Sequence, residues 1–287
     1  MEKDPKIIVV TGGAGFVGSH LCERLLLDGH TVISLDNYFT GSRDNHVAGV
    51  TYLEGHTKDI ATHITETPDI IFHLGEYART EKSFEDVELV WDLNVAGTFA
   101  VLEFCRKKHC KIVYAGSSTK FADDGEGRDQ SPYAWMKASN TELVCNYGDW
   151  FGLSFAITYF YNVYGPREMA GPYGTLVRIF AEQATQGMPL TVTSPGTQER
   201  NFTHVDDIVN GLVLVGKYGA GDNFGIGSDT TYSVLDVAHL FGGEVVMTPE
   251  KKGNRMHGGV DNVKTKALGW EPTKTLPDHI ASLKAQH

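Results

Sequence analysis

Over the first 165 residues the hydrophobic positions alternate between two textures. Short unbroken apolar runs occur at "KIIVVTG", "HTVISLD", "PDIIFHLG", "CKIVYAGSS" and "LSFAITYFYNVYG". An unbroken, β-branched run of this length predicts a strand covered on both faces. Between the runs, apolar residues recur every three or four positions, the spacing of an amphipathic helix. Helices are predicted over "FVGSHLCERLLLDG", closed by Gly29, over roughly Glu85 to Lys108, and over "SPYAWMKASNTELVCNYGDWFG". Pro132 stands in the first turn of the last of these, where its missing N–H costs nothing. Buried strands alternating with helices imply an α/β fold with a doubly wound parallel sheet of the Rossmann type.

After Gly165 the texture changes. "GPREMAGPYGT" reads as a loop, followed by helices near Leu176–Gln186 and His204–Lys217, the short strand "DNFGIG", and a tail of loops and short helices. Residues 1–163 plus 203–228 are therefore expected to form the sheet domain. Residues 164–202 plus 229–287 are expected to form a smaller, discontinuous C-terminal lobe over the strand ends.

Composition narrows the function. A net charge of −11 lacks the basic footprint of a nucleic-acid binder. No stretch approaches the ~20 apolar residues needed to span a bilayer. The amino-terminal "MEKDPKIIVV" carries no apolar leader, so a cytoplasmic protein with no membrane partner is expected. Cys22, Cys105, Cys110 and Cys145 show no paired spacing, and no second ligand pair follows His109 and Cys110. Reduced thiols and no metal site are expected.

"TGGAGFVGSH" follows the first strand and opens the first helix. Gly13, Gly15 and Gly18 fit G-x-G-x-x-G, and Gly12, Gly15 and Gly18 fit a second spacing. The pattern alone also fits a tight turn with close helix packing. In a strand–turn–helix it supplies close backbone approach and free N–H groups for a pyrophosphate. Asp36 ends the second strand, 18 residues beyond Gly18. A carboxylate there accepts from ribose hydroxyls and repels a 2′-phosphate, favouring NAD over NADP. Tyr133 and Lys137 stand four apart on a predicted helix and share one face. By themselves they are an ordinary surface pair or a proton-transfer device.

Taken together these motifs resemble the extended short-chain dehydrogenase/reductase family. More narrowly they resemble its NAD-dependent nucleotide-sugar epimerases and dehydratases, with the UDP-glucose 4-epimerases as the familiar branch. "FHLGEYART", "NVAGT", "AGSSTKFAD", "YFYNVYGPR", "GTQERNFTHVDDI" and "LGWEPTKTL" extend the likeness over nearly the whole chain. The resemblance makes the sheet domain an NAD-binding domain and the lobe a nucleotide-sugar site. It implies Tyr133 as acid–base, Lys137 as its partner and Ser117 as the hydroxyl on the reacting sugar oxygen, with Ser118 or Thr119 as substitutes. For NAD it implies Gly12, Gly15, Phe16, Val17 and Gly18 at the phosphates, and Asp36, Asn37, Thr40 and Gly41 at the ribose. His56 and Thr57 fall to the adenine, Leu74, Gly75, Glu76 and Phe160 to the nicotinamide, and Asn94 to the ribose and lysine. Asn162, Arg200 and Arg255 would contact the substrate's pyrophosphate. His73 reads as an ordinary core histidine.

A phenol with a pKa of ~10 is a poor base at neutral pH, and a nearby ammonium and an oxidised nicotinamide favour its anion. Reversible 4-epimerisation through a transient 4-keto sugar is the implied reaction. A 4-dehydrogenase, a 4,6-dehydratase and a non-catalytic NAD sensor are the alternatives. "SSTKFAD" lacks the Asp-Glu pair that dehydratases use, "EGHTKD" alters the adenine segment, and "HLGEYA" replaces the usual "HLAA". The apolar helices near Glu85–Lys108 and Pro132–Trp150 are expected to pair two copies into a homodimer.

Overall fold

The apolar runs pair side by side into one sheet in the computed structural model of the chain, which describes residues 5–121, 127–250, 256 and 259–285. Its strands are β1 (Ile7–Thr11), β2 (Thr31–Asp36), β3 (Thr51–Glu54), β4 (Ile70–His73), β5 (Lys111–Ser117), β6 (Phe155–Phe160) and β7 (Gly221–Ile226). Their order is β7-β6-β5-β4-β1-β2-β3, and each neighbouring pair is parallel. The order reverses between β1 and β4, so the connections leaving these two strands diverge to opposite faces and open a crevice at their carboxyl ends.

Successive residues of a strand face opposite ways, and the two cores follow that rule. Val9 joins Ile33, Ile71, Ile112 and Ile157 on one face, where the helices α2 (Gly97–Lys108) and α3 (Pro132–Phe151) contribute Leu102 and Val144. Ile8 and Val10 join Val32 and Phe72 on the other, covered by Leu21 and Leu25 of α1 (Phe16–Leu27). A third core gathers Tyr164, Val177, Phe180, Leu190, Val237 and Ile280. It draws on α4 (Leu176–Thr185), α6 (Val234–Phe241) and α7 (Leu276–Lys284). Ile208 and Leu212 of α5 (Val205–Tyr218) pack on the sheet side instead, and so does Trp270. Its indole N–H donates to the Asp207 carbonyl at 2.8 Å.

Several elements, among them the short strands Leu190–Thr193 and Val245–Thr248, which pair in parallel, differ from the sequence expectation. The edge strand β3 escaped it, because "TYLE" is short and only half-buried. The helix expected from Glu85 starts at Val87 and passes through a π-helical turn at Trp91–Ala96 before α2. α6 went unread although Ser233 and Asp236 form a reciprocal capping box at its start. Among the described residues, no helix is long and apolar enough to cross a membrane.

Candidate active site

The crevice at the β1–β4 reversal is the mouth of a cavity of about 840 Å³. Its first wall is the turn after β1. Gly12 adopts φ +74°, and a Cβ on it would lie 2.8 Å from the Gly75 Cα. A Cβ on Gly18 would lie 2.0 Å from the Gly12 carbonyl oxygen. Only glycine permits this approach of helix start to strand end. Gly15 caps α1 without any side-chain acceptor, and its first turn carries no acid, which leaves the N–H groups of the helix start for an anion. Gly12, Gly15, Phe16, Val17 and Gly18 all line the cavity.

Asp36, at the end of β2, is 6% exposed. Its carboxylate accepts from the Ala14 and Tyr38 backbone N–H groups at 2.9 and 2.8 Å. Burial pushes its proton affinity up, and those two donors oppose the rise. Asn37 and Thr40 line the cavity with it. Gly41 lies against the carboxylate, where a Cβ would come within 2.9 Å of the Asp36 oxygen.

The second wall follows β4. His73 is fully buried, and that burial pushes its imidazole down to about pKa 4. The Leu74 and Gly75 N–H groups donate to the Thr11 hydroxyl at 3.1 and 3.0 Å. With that oxygen accepting, Thr11 donates to His73 Nδ1 (2.8 Å), and Nε2 donates to Thr98 (3.0 Å). Thr98 in turn donates to Glu76 at 2.9 Å. The chain of donors fixes a neutral histidine with its proton on Nε2. His73 is thus a satisfied core residue, as the sequence implied.

Glu76 is the centre of the network. Its carboxylate forms an ion pair with Lys137, and both side chains are 4% exposed. It also accepts from Tyr114 and from Asn140, each at 3.2 Å. Next to it, the Tyr77 backbone N–H donates to the Asn94 amide oxygen at 2.7 Å, and the Asn94 amide donates back to the Tyr77 carbonyl at 3.1 Å. The π-helical turn at Trp91–Ala96 holds Asn94 there, and its carbonyl accepts from Asn140 at 2.9 Å.

The third wall is the start of α3. Ser131 caps it, its hydroxyl accepting from the Ala134 N–H at 3.1 Å, with Pro132 in the first turn. That cap sets Tyr133 in the first turn and Lys137 one turn further on, and both line the cavity. Lys137 also donates to the Ala115 carbonyl. Phe160, at the end of β6, and Asn162 complete this side. Asn162 takes φ +34°, a conformation asparagine tolerates better than most residues.

Other sequence candidates sit elsewhere. His56 caps a short 3-10 turn and pairs with Asp92 at 3.0 Å, and Thr57 is buried against Gly97. Neither lines the cavity among the described residues. Ser117 closes β5 and Ser118 and Thr119 open the 3-10 turn after it, where the Ser117 and Thr119 hydroxyls bond each other at 2.8 Å. Arg200 lies on the strand Glu199–Asn201 and donates to the Glu199 carbonyl at 2.7 Å. Arg255 is outside the described residues.

The cavity also takes in residues that no motif flagged, notably Thr175 and Val177 at the start of α4, Thr191, Thr193 and Thr248. Arg79 lines it too and donates through Nε to the Tyr173 carbonyl at 2.7 Å, tying the β4 loop to the segment before α4.

A seven-stranded parallel sheet whose glycine turn, free helix start and buried acid converge on one crevice defines a dinucleotide-binding protein. Comparison with known proteins narrows the class. The profile of the NAD dependent epimerase/dehydratase family matches residues 8–227. The chain is 31% identical to UDP-glucuronic acid decarboxylase 1 of Xenopus tropicalis over 97% of its own length and 71% of the relative's. It is 29% identical to the UDP-glucose 4-epimerase of Mycolicibacterium smegmatis, over 95% and 96% of the two chains. Its structure matches a Thermotoga maritima UDP-glucose 4-epimerase solved with UDP-glucose at a TM-score of 0.89 and 26% identity, covering 96% of each chain. A Thermus thermophilus UDP-glucose 4-epimerase in complex with NAD gives 0.87 and 28%, again covering 96% of each. The chain belongs to the NAD-dependent epimerase/dehydratase family, and its cofactor is NAD. The residues fit that cofactor: glycine at 12 and 18 lets the turn close on Gly75 and on the start of α1, the N–H groups of that helix start meet no side-chain cap, and Asp36 stands at the end of β2.

Proposed function

We propose that the protein is a nucleotide-sugar 4-epimerase acting on a UDP-hexose or a close analogue through a transient 4-keto sugar. The observation that carries this is the placing of Tyr133 and Lys137 on successive turns of α3, facing the same cavity as the glycine turn. The UDP-glucose 4-epimerases among its relatives and structural neighbours support the choice of reaction and substrate. NAD held by the Gly12–Gly18 turn and Asp36 would supply the hydride acceptor and donor for the sugar C4. Tyr133 holds the C4 hydroxyl through its phenolic oxygen and accepts, then returns, that hydroxyl's proton. Lys137 presents its ammonium from one turn below and is held there by Glu76 and the Ala115 carbonyl. Asn162 and the lobe residues from Thr175 to Val177 hold the nucleotide part, and the lobe's separate core gives that site its own support.

We further propose that two copies pair through α2, α3 and the turn before α2. These carry Trp91, Phe99, Trp150 and Phe151 at 51, 53, 60 and 52% exposure, an apolar face that a monomer would leave in water.

The test is incubation of the purified protein with a panel of UDP-, GDP- and CDP-sugars, followed by NMR of the products. The 4-epimer should form without accumulation of NADH. Stoichiometric NADH, a released keto sugar or loss of CO2 from a uronate substrate would overturn the assignment.

A further inference from the structure

The ion pair between Glu76 and Lys137 is buried in the wall of the cofactor cavity, two strands away from Asp36 in the sheet order. A buried ion pair is an expensive device, and replacing such a pair by apolar groups is often neutral or stabilising. This one is nevertheless fully built. Gly75 gives the loop its close approach to Gly12, Asn94 pins Tyr77, and four donors from β5, α2 and α3 converge on the Glu76 carboxylate. With the Glu76 carboxylate in place, the ammonium beside Tyr133 belongs to a pair of no net charge.

The charge change of the cofactor gives the pair its meaning. The nicotinamide ring is cationic when oxidised and neutral when reduced. An unpaired Lys137 on the cavity wall would repel the oxidised ring and favour reduction, and a fixed anion at the same place does the reverse. We infer that Glu76 is a positioning residue that compensates Lys137 and biases the bound nicotinamide toward its oxidised form. For a 4-epimerase this bias drives the hydride back onto the sugar and shortens the life of the keto sugar. That benefit rests on the proposed function, whereas the bias itself does not.

The test is an equilibrium titration of the NAD-loaded protein against a mediator dye of known potential, read by the near-ultraviolet absorbance of the reduced ring. No sugar is present, so the outcome is independent of whether the protein is an epimerase. Glu76→Gln keeps an acceptor for Thr98, Tyr114 and Asn140 and removes the charge. It should raise the NADH-to-NAD affinity ratio by about tenfold or more, an upward shift of about 30 mV in potential for this two-electron couple. Lys137→Met, leaving the carboxylate, should shift the ratio in the opposite direction. If Glu76→Gln does not fold, the double variant compared with Lys137→Met alone reads the same term. A potential unchanged within about twofold in that ratio, or moving downward on loss of the carboxylate, overturns the proposal.

Discussion

Replacing Lys137 by methionine probes the buried pair through stability. Methionine fills most of the lysine stem's volume, so the perturbation is chiefly the loss of the ammonium. With both side chains 4% exposed, Glu76 is left as a buried carboxylate without its cation. Breaking such a pair costs about 3–5 kcal/mol. Glu76 keeps Thr98 at 2.9 Å and Tyr114 and Asn140 at 3.2 Å as donors. Those bonds place the expected loss near the lower end, about 3 kcal/mol. Glu76→Gln, which strands the ammonium instead, should cost a similar amount. The double variant holds two neutral groups and should lie only about 1–2 kcal/mol below wild type, because no charge remains unpaired. Urea unfolding of the four proteins without added NAD gives the cycle, with unchanged slopes certifying a common reference state. A coupling of at least about 2 kcal/mol is expected. If the two single losses simply add to the double within about 0.5 kcal/mol, the pair is not a coupled unit and the electrostatic reasoning fails.

Further outcomes follow from other parts of the molecule. Asp36→Ala should weaken NAD about 10- to 100-fold by calorimetry, the worth of a charge-assisted hydrogen bond, and should narrow the preference over NADP. An unchanged preference would remove Asp36 from the ribose site. Glu168 is pushed up to about pKa 7 by burial, opposed by the Gly165 N–H, which donates to one carboxylate oxygen at 2.7 Å. A carboxyl raised in the folded state contributes stability that is full below its ordinary value near 4.5 and is lost as pH rises through about 7. Glu168→Gln should therefore gain about 1–3 kcal/mol on wild type between pH 5 and pH 8, and parallel pH–stability curves would contradict this. Trp150→Glu should shift the protein from dimer to monomer in sedimentation at micromolar concentration, and a wild type already monomeric there would rule out the proposed interface.

The parts of this molecule that were legible in its sequence are those whose signal is local. The β-branched runs announced five of the seven sheet strands because burial on both faces favours apolar residues, and the short "DNFGIG" announced a sixth. The turn at Gly12–Gly18 was legible because its glycines recur at a fixed spacing between strand and helix, and Gly15 and Gly18 answer a contact only a few residues away, the Gly12 carbonyl. Pro132 marked the start of α3 in the same local way. What escaped depends on contacts distant in sequence. Glu76 meets Lys137 across 61 positions, so "HLGEYA" could be seen as unusual but not as half of an ion pair. The cavity's Thr191, Thr193 and Thr248 come from the paired strands Leu190–Thr193 and Val245–Thr248 and follow no motif. The pairing of His56 with Asp92 and the packing of Thr57 under Gly97 are likewise contacts with the π-turn and α2 region that a linear spacing does not encode.

The account stands or falls on the phenolic oxygen of Tyr133 moving a proton beside the bound cofactor. The direct measurement is the turnover of Tyr133→Phe on the sugar nucleotide that wild type epimerises, with NAD binding measured in parallel. Turnover should fall by about 10²–10⁴-fold while NAD affinity stays within about threefold. A variant that epimerises at the wild-type rate would show that the proton travels by another group.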